Sequence, residues 1–572
     1  MTYAGRLGPV RVLLLFSAYN GLSQCVDLEL RAAGHQVQHQ VMGPDVADAV
    51  SGINPDVILC PFLMQRVPDR VWQRWTTIII HPGPEGDRGP SSLDWAITER
   101  ATTWGVTALQ ANAVMDGGPV WASRTFALPA DGPPRKSTLY AGQVTEAAAE
   151  LALEVVEKVR DPSFTPRIVH PGQPGVPGRE RPLMRQTDRS FDWTDPSADI
   201  IRKVRAADGS PGVRATLAGR EVSVFDAHPG HAPAPTPPGT IAHTSHGALL
   251  VATGGDPGEA IWLGRARSLD GPRAGIKLPA ATGLHEHLDG VTELVQPLDH
   301  PSGYGGRREI RYERHGQVGV VTIDAYNGAW SSALCRRIGH AWLHATAQDT
   351  PVILLQAGDV FSNGIDLNTI EAAPRPAREA WDNIVAIDNL CRDIICAEQF
   401  VVAAIGGNAG AGGVMLALGA DRIIARAGSV LNPHYATMGL FGSEYWTYSL
   451  PRRVGCDEAE RLTTACRPIG AVRAVQLGLV DRVHHGDRAD FDRAALAYAQ
   501  QLATSSSIGT LLDAKRLERR TDEAHRPLES YRVTELALMK EDIFDDAHGF
   551  AARRRAFVTH RPASALAAVR AG

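Results

Sequence analysis

The sequence has no large excess of either charge, few cysteines and no long apolar run. Each of these absences excludes some classes of function. Lysine and arginine together number 58 and aspartate and glutamate 63, which gives a formal net charge of −5 at pH 7. A chain so close to neutrality lacks the general electrostatic attraction that binds nucleic acid or anionic lipid. We therefore expect no nucleic-acid partner and no membrane partner, and any charged ligand must be held by a local site.

The seven cysteines are scattered and form no CxxC pair, a pattern typical of a protein kept reduced in the cytoplasm. We expect no metal ion at its sites. The apolar run at residues 10–16 is too short for a signal peptide or a spanning helix, and no later run approaches eighteen apolar residues. These observations predict a cytoplasmic protein.

The chain of 572 residues is 44% hydrophobic and 21% charged, which is ordinary for a globular protein with three or four domains. In its first part, short apolar runs alternate with longer amphipathic stretches. This alternation predicts an α/β domain with a mostly parallel, doubly wound sheet and crossover helices. The predicted strands are residues 10–16, 35–41, 57–60, 76–80, 105–111 and 119–126.

Two stretches rich in proline and glycine, 170–178 and 297–306, divide the remaining chain. Between them, short alternating runs predict a small antiparallel β-barrel-like domain. From residue 308 the order is strand, strand, helix, strand and glycine-rich turn, followed by a helical tail from about 455. The predicted domains are 1–168, 180–295 and 306–572.

The first candidate site combines His81, at the carboxyl end of a predicted strand, with Asp116 on a tight turn between two strands. Open α/β sheets bind their ligands at the carboxyl ends of the strands. A histidine and an aspartate converging there could polarise a carbonyl group and move protons during acyl transfer. A structural role for the histidine and an ordinary Asp-Gly-Gly turn remain alternatives at this point.

These residues resemble the folate-dependent formyltransferases, which include the glycinamide ribonucleotide and methionyl-tRNA enzymes. The resemblance rests on His81-Pro82, the turn at 88–90 and the run at 116–120, and it extends through 191–193 and 205–212 into a smaller C-terminal barrel. It implies that 10-formyltetrahydrofolate is the formyl donor, that His81 stabilises the tetrahedral oxyanion, and that Asp116 keeps the proton-transfer network in order. The implied folate-binding residues are Arg88, Gly89, Pro90, Ser91, Gly117 and Gly118.

One position departs from the formyltransferase pattern. The asparagine of that family falls on Ile79, which cannot donate a hydrogen bond to the developing oxyanion. Removing such a donor costs roughly 3 kcal/mol in other enzymes. Another group must therefore replace it, or this formyl transfer is slow.

The second candidate site combines two glycine-rich loops, 359–367 and 403–413. Such loops let backbone N–H groups approach a ligand closely, although glycines also serve close helix packing. Taken in this order with 420–425, they resemble the crotonase (enoyl-CoA hydratase/isomerase) family, whose fold is a ββα spiral with a helical tail. The resemblance implies that coenzyme A is a ligand and that Ile365 and Gly412 supply the two N–H groups of an oxyanion hole. The implied binding residues are Ser362, Gly364, Asp366 and Gly413.

The glutamates with which hydratases activate water fall on Met415 and Tyr435. A thioether cannot act as a base, and an ordinary tyrosine is protonated at pH 7, so simple hydration of an enoyl-CoA is excluded. New chemistry must come from the polar and aromatic run at 432–446. Our preferred proton acceptor is Glu444, with Tyr435 as a hydrogen-bonding partner in the site, and a structural or surface role for either remains open.

A formyltransferase-like front joined to a crotonase-like back resembles the HoxX-type hydrogenase maturation proteins over nearly the whole chain, most specifically at 86–96 and 442–448. That resemblance implies CO synthesis for the iron of a [NiFe]-hydrogenase. The first site would pass the formyl group of 10-formyltetrahydrofolate to coenzyme A, and the second would decarbonylate formyl-CoA. Hydrogenase maturation factors are then candidate partners.

Two other functions fit the same sequence. One is a formyltransferase acting on a different acceptor, whose crotonase-like half hydrolyses an acyl-CoA. The other is a non-catalytic carrier that holds a one-carbon unit during hydrogenase assembly, since the amide at Ile79 and both hydratase glutamates are missing.

Overall fold

A computed structural model describes residues 8–271, 273–298 and 306–560. Contacts between Cα atoms divide the chain into two compact units, the first formed by 1–243 with 248–264 and the second by 244–247 with 265–572. Most of the predicted boundary at 297–306 and the outer ends of the predicted domains 1–168 and 306–572 lie outside the described residues. The three predicted domain ranges therefore stay a prediction.

The front sheet contains six strands, four of them parallel. They are β1 (Arg11–Phe16), β2 (Gln36–Val41), β3 (Val57–Cys60), β4 (Thr77–His81), β5 (Thr103–Gln110) and β6 (Val120–Ala127). The order is β2-β1-β3-β4-β5-β6, with β5 and β6 antiparallel to their neighbours. Every strand predicted here is confirmed within two residues. The inner parallel strands β1, β3 and β4 read as nearly continuous apolar runs because both of their faces are covered.

Six helices accompany this sheet. They are α1 (Gly21–Ala32), α2 (Val46–Ile53), α3 (Asp69–Trp72), α4 (Ser92–Thr98), α5 (Lys136–Leu139) and α6 (Thr145–Arg160), with a π-helical turn at Tyr140–Val144. His81 is the last residue of β4. It therefore lies at the carboxyl end of a parallel strand, as predicted.

The middle of the chain forms a mainly antiparallel sheet. Its strands are β7 (Val213–Leu217), β8 (Arg220–His231), β9 (Ile241–Ser245), β10 (Ala248–Ala252), β11 (Glu259–Ser268), β12 (Lys277–Pro279) and β13 (Thr292–Glu293). Its helices are α7 (Gln186–Arg189), α8 (Ser197–Ala206) and α9 (Ala280–Gly283), with a 3₁₀ turn at His285–His287. The pairs β7–β8, β10–β11 and β11–β12 are all antiparallel, as expected for a small β domain.

The last part of the chain contains two sheets. Its strands are β14 (Ile310–His315), β15 (Val318–Ile323), β16 (Val352–Ala357), β17 (Val360–Ser362), β18 (Phe400–Ile405), β19 (Asn408–Gly410), β20 (Arg422–Arg426), β21 (Val430–Asn432), β22 (Ile469–Gly470) and β23 (Arg482–His484). The larger sheet has the order β14-β15-β16-β18-β20-β23 and the smaller β17-β19-β21-β22. Chain segments therefore pass from the large sheet into the small one at both glycine-rich loops.

Helices cover these sheets and form the predicted tail. They are α10 (Ser332–Thr346), α11 (Leu367–Ala372), α12 (Pro376–Ile395), α13 (Gly412–Leu418), α14 (Trp446–Val454), α15 (Cys456–Ala465), α16 (Ala471–Leu477), α17 (Arg488–Ala503), α18 (Ile508–His525), α19 (Leu528–Phe544) and α20 (Phe550–Thr559), with 3₁₀ turns at Tyr326–Gly328 and Tyr435–Met438. One large apolar core, which includes the buried Trp330 and Trp342, packs residues of α10, α12, α13 and α19 together. Among the described residues, no helix is both long and apolar enough to cross a membrane.

Candidate active sites

In the front domain, His81 is buried between two carboxylates. Its Nε2 lies 2.9 Å from Oδ2 of Asp87, and its Nδ1 lies 3.7 Å from Oδ2 of Asp116. The first distance is that of a hydrogen bond, and the second is too long for one. The structure thus brings His81 and Asp116 together and adds Asp87, which sequence reasoning missed.

The contact between His81 and Asp87 requires a glycine at position 83. A Cβ atom on Gly83 would lie 2.6 Å from Nε2 of His81 and would collide with Oδ2 of Asp87. Real Cβ atoms do not approach other atoms so closely, because atoms in a densely packed interior cannot overlap. Gly83 therefore allows the imidazole and the carboxylate to meet.

Asp87 is held from behind by Arg181, whose Nη1 lies 2.7 Å from Oδ1 of Asp87. The backbone that leads to Arg181 also pairs with the loop that carries Asp87: Gly178 N–H donates to the carbonyl of Glu85, and Arg88 N–H donates to the carbonyl of Arg179. The end of the predicted linker thus supports the first site. Only the tertiary fold reveals this, because Asp87 and Arg181 are 94 residues apart.

A cavity of about 630 Å³ opens at this edge of the sheet. Of the residues predicted to act or bind here, His81, Gly89, Pro90, Asp116 and Gly118 line it. Arg88, Ser91 and Gly117 do not lie on its wall; Ser91 instead accepts a hydrogen bond from the backbone N–H of Met184. The wall also contains Ile79, the apolar Phe62, Leu63 and Met64, and the amides Gln65, Gln110 and Asn112. Apolar walls with a few polar groups are typical of small-molecule sites of this size.

We predict that Asp87→Asn destabilises the front domain and slows its reaction. The substitution removes the charge that pairs with the buried Arg181 and the carboxylate that orients His81. Breaking a buried pair from one side costs about 3 kcal/mol. Denaturant unfolding should detect the loss. As a control, Asp56→Asn breaks the exposed pair with Arg11 and should change unfolding little; equal effects of the two variants would contradict a supporting role for Asp87.

In the crotonase-like domain, the two glycine-rich loops touch each other. A Cβ atom on Gly364, whose φ is +74°, would lie 3.3 Å from the backbone nitrogen of Gly412, and one on Gly413 would lie 2.8 Å from Cβ of Ser362. Among the described residues, the N–H groups of Ile365 and Gly412 donate no hydrogen bond. Both amides therefore remain available to an oxygen atom placed between the loops.

Asp366, the remaining residue predicted to bind here, has a structural position. Its Oδ1 accepts hydrogen bonds from the N–H groups of Asn368 and Thr369 at the start of α11. Its Oδ2 lies 3.3 Å from Arg265. Asp366 thus caps the helix that follows the first loop and fixes the direction in which Ile365 leaves the strand.

Glu444 and Tyr435 form a buried hydrogen-bonded pair at the second loop. The phenol of Tyr435 donates to Oε2 of Glu444 over 2.7 Å, and the two residues are 5% and 1% exposed. A Cβ atom on Gly412 would lie 2.6 Å from Cδ of Glu444. The structure therefore brings the predicted proton acceptor, its predicted partner and the predicted oxyanion-hole glycine into contact.

Burial dominates the electrostatics of this pair. Loss of solvent raises the pKa of Glu444 above the ordinary carboxyl range, and the nearby Asp388 raises it further. Burial also raises the pKa of Tyr435, as does the negative charge of Glu444. At neutral pH the tyrosine therefore stays protonated, and an ionised Glu444 is a stronger base than an exposed carboxylate.

The backbone at Glu444 is unusual and is held by two buried acids that sequence reasoning missed. Glu444 and Tyr445 both have left-handed conformations, with φ of +61° and +58°. Asp388 of α12 accepts from Glu444 N–H, and Glu535 of α19 accepts from the N–H groups of Tyr445 and Thr447. Such strain persists only where the surroundings enforce it, and it concentrates at functional sites.

We predict that Gly412→Ala inactivates the crotonase-like site. The added methyl group would collide with the Glu444 carboxylate, and overpacking of this kind costs about 1–3 kcal/mol in a core. The expected result is loss of activity at this site with formyl transfer at the front site retained. Gly339→Ala on α10 is the matched control, because a Cβ atom there meets nothing within 4 Å. Equal activity of both variants would contradict the close approach of Glu444 to the loop.

The sites show no arrangement for a metal. Among the described residues, no group of three or more histidine, cysteine, aspartate or glutamate side chains could hold a metal ion. All seven cysteines are free thiols.

Comparison with known proteins covers the chain almost completely. The hydrogenase maturation factor HoxX of Bradyrhizobium diazoefficiens is 40% identical over 561 residues, which span 97% of this chain and 96% of that protein. The chain belongs to the HoxX family of hydrogenase maturation factors. The resemblance to HoxX-type proteins expected from the sequence is thereby confirmed.

Two enzyme-family models match separate parts of this HoxX-family chain. The formyl transferase C-terminal domain matches residues 183–277, and enoyl-CoA hydratase/isomerase matches 313–556. The methionyl-tRNA formyltransferase of Roseiflexus castenholzii is 34% identical over 170 residues, 29% of this chain and 51% of that enzyme. The chain therefore combines formyltransferase-like and crotonase-like enzyme domains.

A solved structure of similar length supports the same fold. HypX from Aquifex aeolicus, crystallised in complex with tetrahydrofolic acid, is 36% identical, with a TM-score of 0.91 over 97% of this chain and 96% of that one. The predicted α/β fold class, with its formyltransferase-like, small β and crotonase-like parts, is confirmed by this match.

Proposed function

We propose that this HoxX-family chain makes carbon monoxide for the active site of a [NiFe]-hydrogenase in two steps. The domains proposed at 1–168 and 180–295 transfer the formyl group of 10-formyltetrahydrofolate to the thiol of coenzyme A. The domain proposed at 306–572 then splits formyl-CoA into CO and coenzyme A. The reaction consumes 10-formyltetrahydrofolate, and it regenerates coenzyme A as a free molecule.

In the first step, the sulfur of coenzyme A attacks the formyl carbon, and the bond from that carbon to N10 of the folate breaks. The thiol proton passes to N10, so the atoms balance. Because Nε2 of His81 is bonded to Asp87, Nδ1 is the atom that faces Asp116 and can donate to the oxyanion when protonated. The folate-bound HypX crystal structure and the 630 Å³ cavity support a folate in this place.

In the second step, the carbonyl oxygen of formyl-CoA lies between the N–H groups of Ile365 and Gly412. Glu444 takes the formyl hydrogen as a proton, and the electron pair of that C–H bond becomes the lone pair on carbon. The C–S bond breaks with its electrons going to sulfur. No α-carbon exists in formyl-CoA, so the enolate that crotonases usually stabilise cannot form.

The hydrogen bond between Tyr435 and Glu444 provides a route by which the proton taken from the formyl group is passed on to the leaving thiolate. As the thiolate leaves, the Tyr435 phenol gives it a proton, and the newly protonated Glu444 restores the phenol through their 2.7 Å hydrogen bond. The site then returns to its starting state without exchange with solvent. This buried pair beside Gly412 is the observation that carries the proposal.

The proposal is tested with a donor that carries ¹³C in its formyl group. Purified protein, labelled 10-formyltetrahydrofolate and coenzyme A are mixed, and the gas is trapped on a haem reporter and examined by infrared spectroscopy. The expected product is ¹³CO at many turnovers per protein. Labelled formate without CO would instead support a hydrolytic second site, and one CO per protein would support the carrier.

The free thiols suit a reducing compartment, and we propose a cytoplasmic location. Membership of the HoxX family supports other hydrogenase maturation factors as partners that receive the CO. Tetrahydrofolate and coenzyme A are the proposed small-molecule ligands.

A further inference from the structure

Beneath Glu444 lies a second buried carboxylate that the two-step reaction does not use. Asp388 of α12 is 0% exposed, and its Oδ1 accepts a hydrogen bond from Glu444 N–H over 2.8 Å. Its Oδ2 has no hydrogen-bond partner and lies 3.8 Å from Nε of Arg532, which has none either. A buried carboxylate that makes one hydrogen bond and one long ion pair is costly to a fold, so its presence here calls for a reason.

The hydroxyl of Ser443 lies beside both carboxyl groups. Ser443 is fully buried and its Oγ makes no well-formed hydrogen bond, yet it is close enough to interact with Asp388 and with Glu444. Three polar side chains from two separate segments therefore meet in one water-excluded place. In such surroundings two carboxylates cannot both ionise freely, so the charge of one controls the proton affinity of the other.

We infer that Asp388 is a positioning residue for Glu444, which fixes the left-handed backbone of Glu444 through its hydrogen bond and makes the Glu444 carboxylate a stronger base through its charge. The first role follows from the 2.8 Å contact and the φ of +61° at Glu444. The second follows from the same contact, which places the Asp388 carboxylate against residue 444, together with the burial of both groups. The inference rests on the proposed decarbonylation, in which Glu444 is the base.

Other titratable groups also surround the pair and must be kept constant in a test. They are Tyr435 and Tyr445 from the loop, Cys335 of α10, Cys391 of α12, and Glu529, Arg532 and Glu535 of α19. Of these, Glu535 is the nearest in character, because burial raises its pKa to about 8. Among these described residues, only Asp388 combines a hydrogen bond from Glu444 N–H with a charge close to the Glu444 carboxyl group.

The experiment is the pH dependence of CO release from added formyl-CoA by Asp388→Asn. Asparagine still accepts from Glu444 N–H but carries no charge. Removal of the like charge lowers the pKa of Glu444, so the acid limb of the profile should move to lower pH, by about one unit. An unmoved limb in Asp388→Asn would overturn the inference.

Asp542→Asn is the matched control. Asp542 is also buried and also accepts from the loop, at Phe441 N–H, but its other oxygen pairs with His548. Its loss should leave the pH midpoint in place. A shift equal to that of Asp388→Asn would overturn the inference by assigning the effect to loop structure.

A second readout separates this inference from the proposed function. Infrared titration of the buried protonated carboxyl groups, without substrate, should show a lower midpoint for Glu444 in Asp388→Asn. If the unaltered protein releases no CO but Asp388→Asn still lowers the infrared midpoint of Glu444, the proposed function is contradicted and the coupling is supported. CO release with no infrared shift would contradict the coupling alone.

Discussion

Replacement of Glu444 by glutamine is expected to abolish CO release from formyl-CoA. The amide keeps the size of the side chain but cannot take the formyl proton, and removal of a general base costs about 10²–10⁴ in rate. Glutamine can still pair with Tyr435, so the loop should keep its shape. CO release from added formyl-CoA, followed on a haem reporter, measures the effect.

The control for this prediction is Glu541→Gln, the same substitution at an exposed position of α19. It should behave like the unaltered protein. Formyl transfer measured in the same preparation shows whether the chain is folded. Unchanged CO release by Glu444→Gln would remove this residue from the mechanism.

The second large effect is expected at the front site, where His81→Ala should stop folate-dependent production of formyl-CoA. The substitution removes the donor to the oxyanion, and loss of such a donor costs about 10²–10³ in rate. Decarbonylation of added formyl-CoA should remain intact, because Glu444 and Tyr435 belong to another domain. Tetrahydrofolate formation and CO release, measured separately, test the two halves.

His170→Ala provides the comparison, since His170 is exposed in the segment between the front and middle domains. Both of its activities should survive. If His81→Ala lost decarbonylation as well as formyl transfer, the two sites would not be separable, which would contradict the division of labour.

The sequence predicts the fold well wherever the buried residues follow a regular pattern along the chain. Strands β1, β3 and β4 are nearly continuous apolar runs because both of their faces are covered, and their predicted ends lie within one residue of the observed ends. The short alternating runs between the two proline- and glycine-rich stretches predict antiparallel strands without fixing their lengths, and β8 extends over twelve residues, Arg220–His231.

The sites were predictable only where neighbouring residues carry the chemistry. Tyr435 and Glu444 lie nine positions apart in one polar and aromatic run, and in the structure the Tyr435 phenol donates to the Glu444 carboxylate over 2.7 Å. Asp87, Arg181 and Asp388 gave no such signal, because each reaches its site from a segment whose position only the tertiary fold determines. At Ile79 the sequence shows the departure from the formyltransferase pattern, but it does not show which group replaces the missing amide.

The central claim is that coenzyme A carries the formyl group between two reactions and is released unchanged. The most direct measurement supplies a large excess of 10-formyltetrahydrofolate with a small, known amount of coenzyme A and records CO and tetrahydrofolate. One CO is expected for each tetrahydrofolate, and many of both for each coenzyme A. CO that stops at the amount of coenzyme A, or that forms at the same rate without it, would contradict the proposed role of coenzyme A.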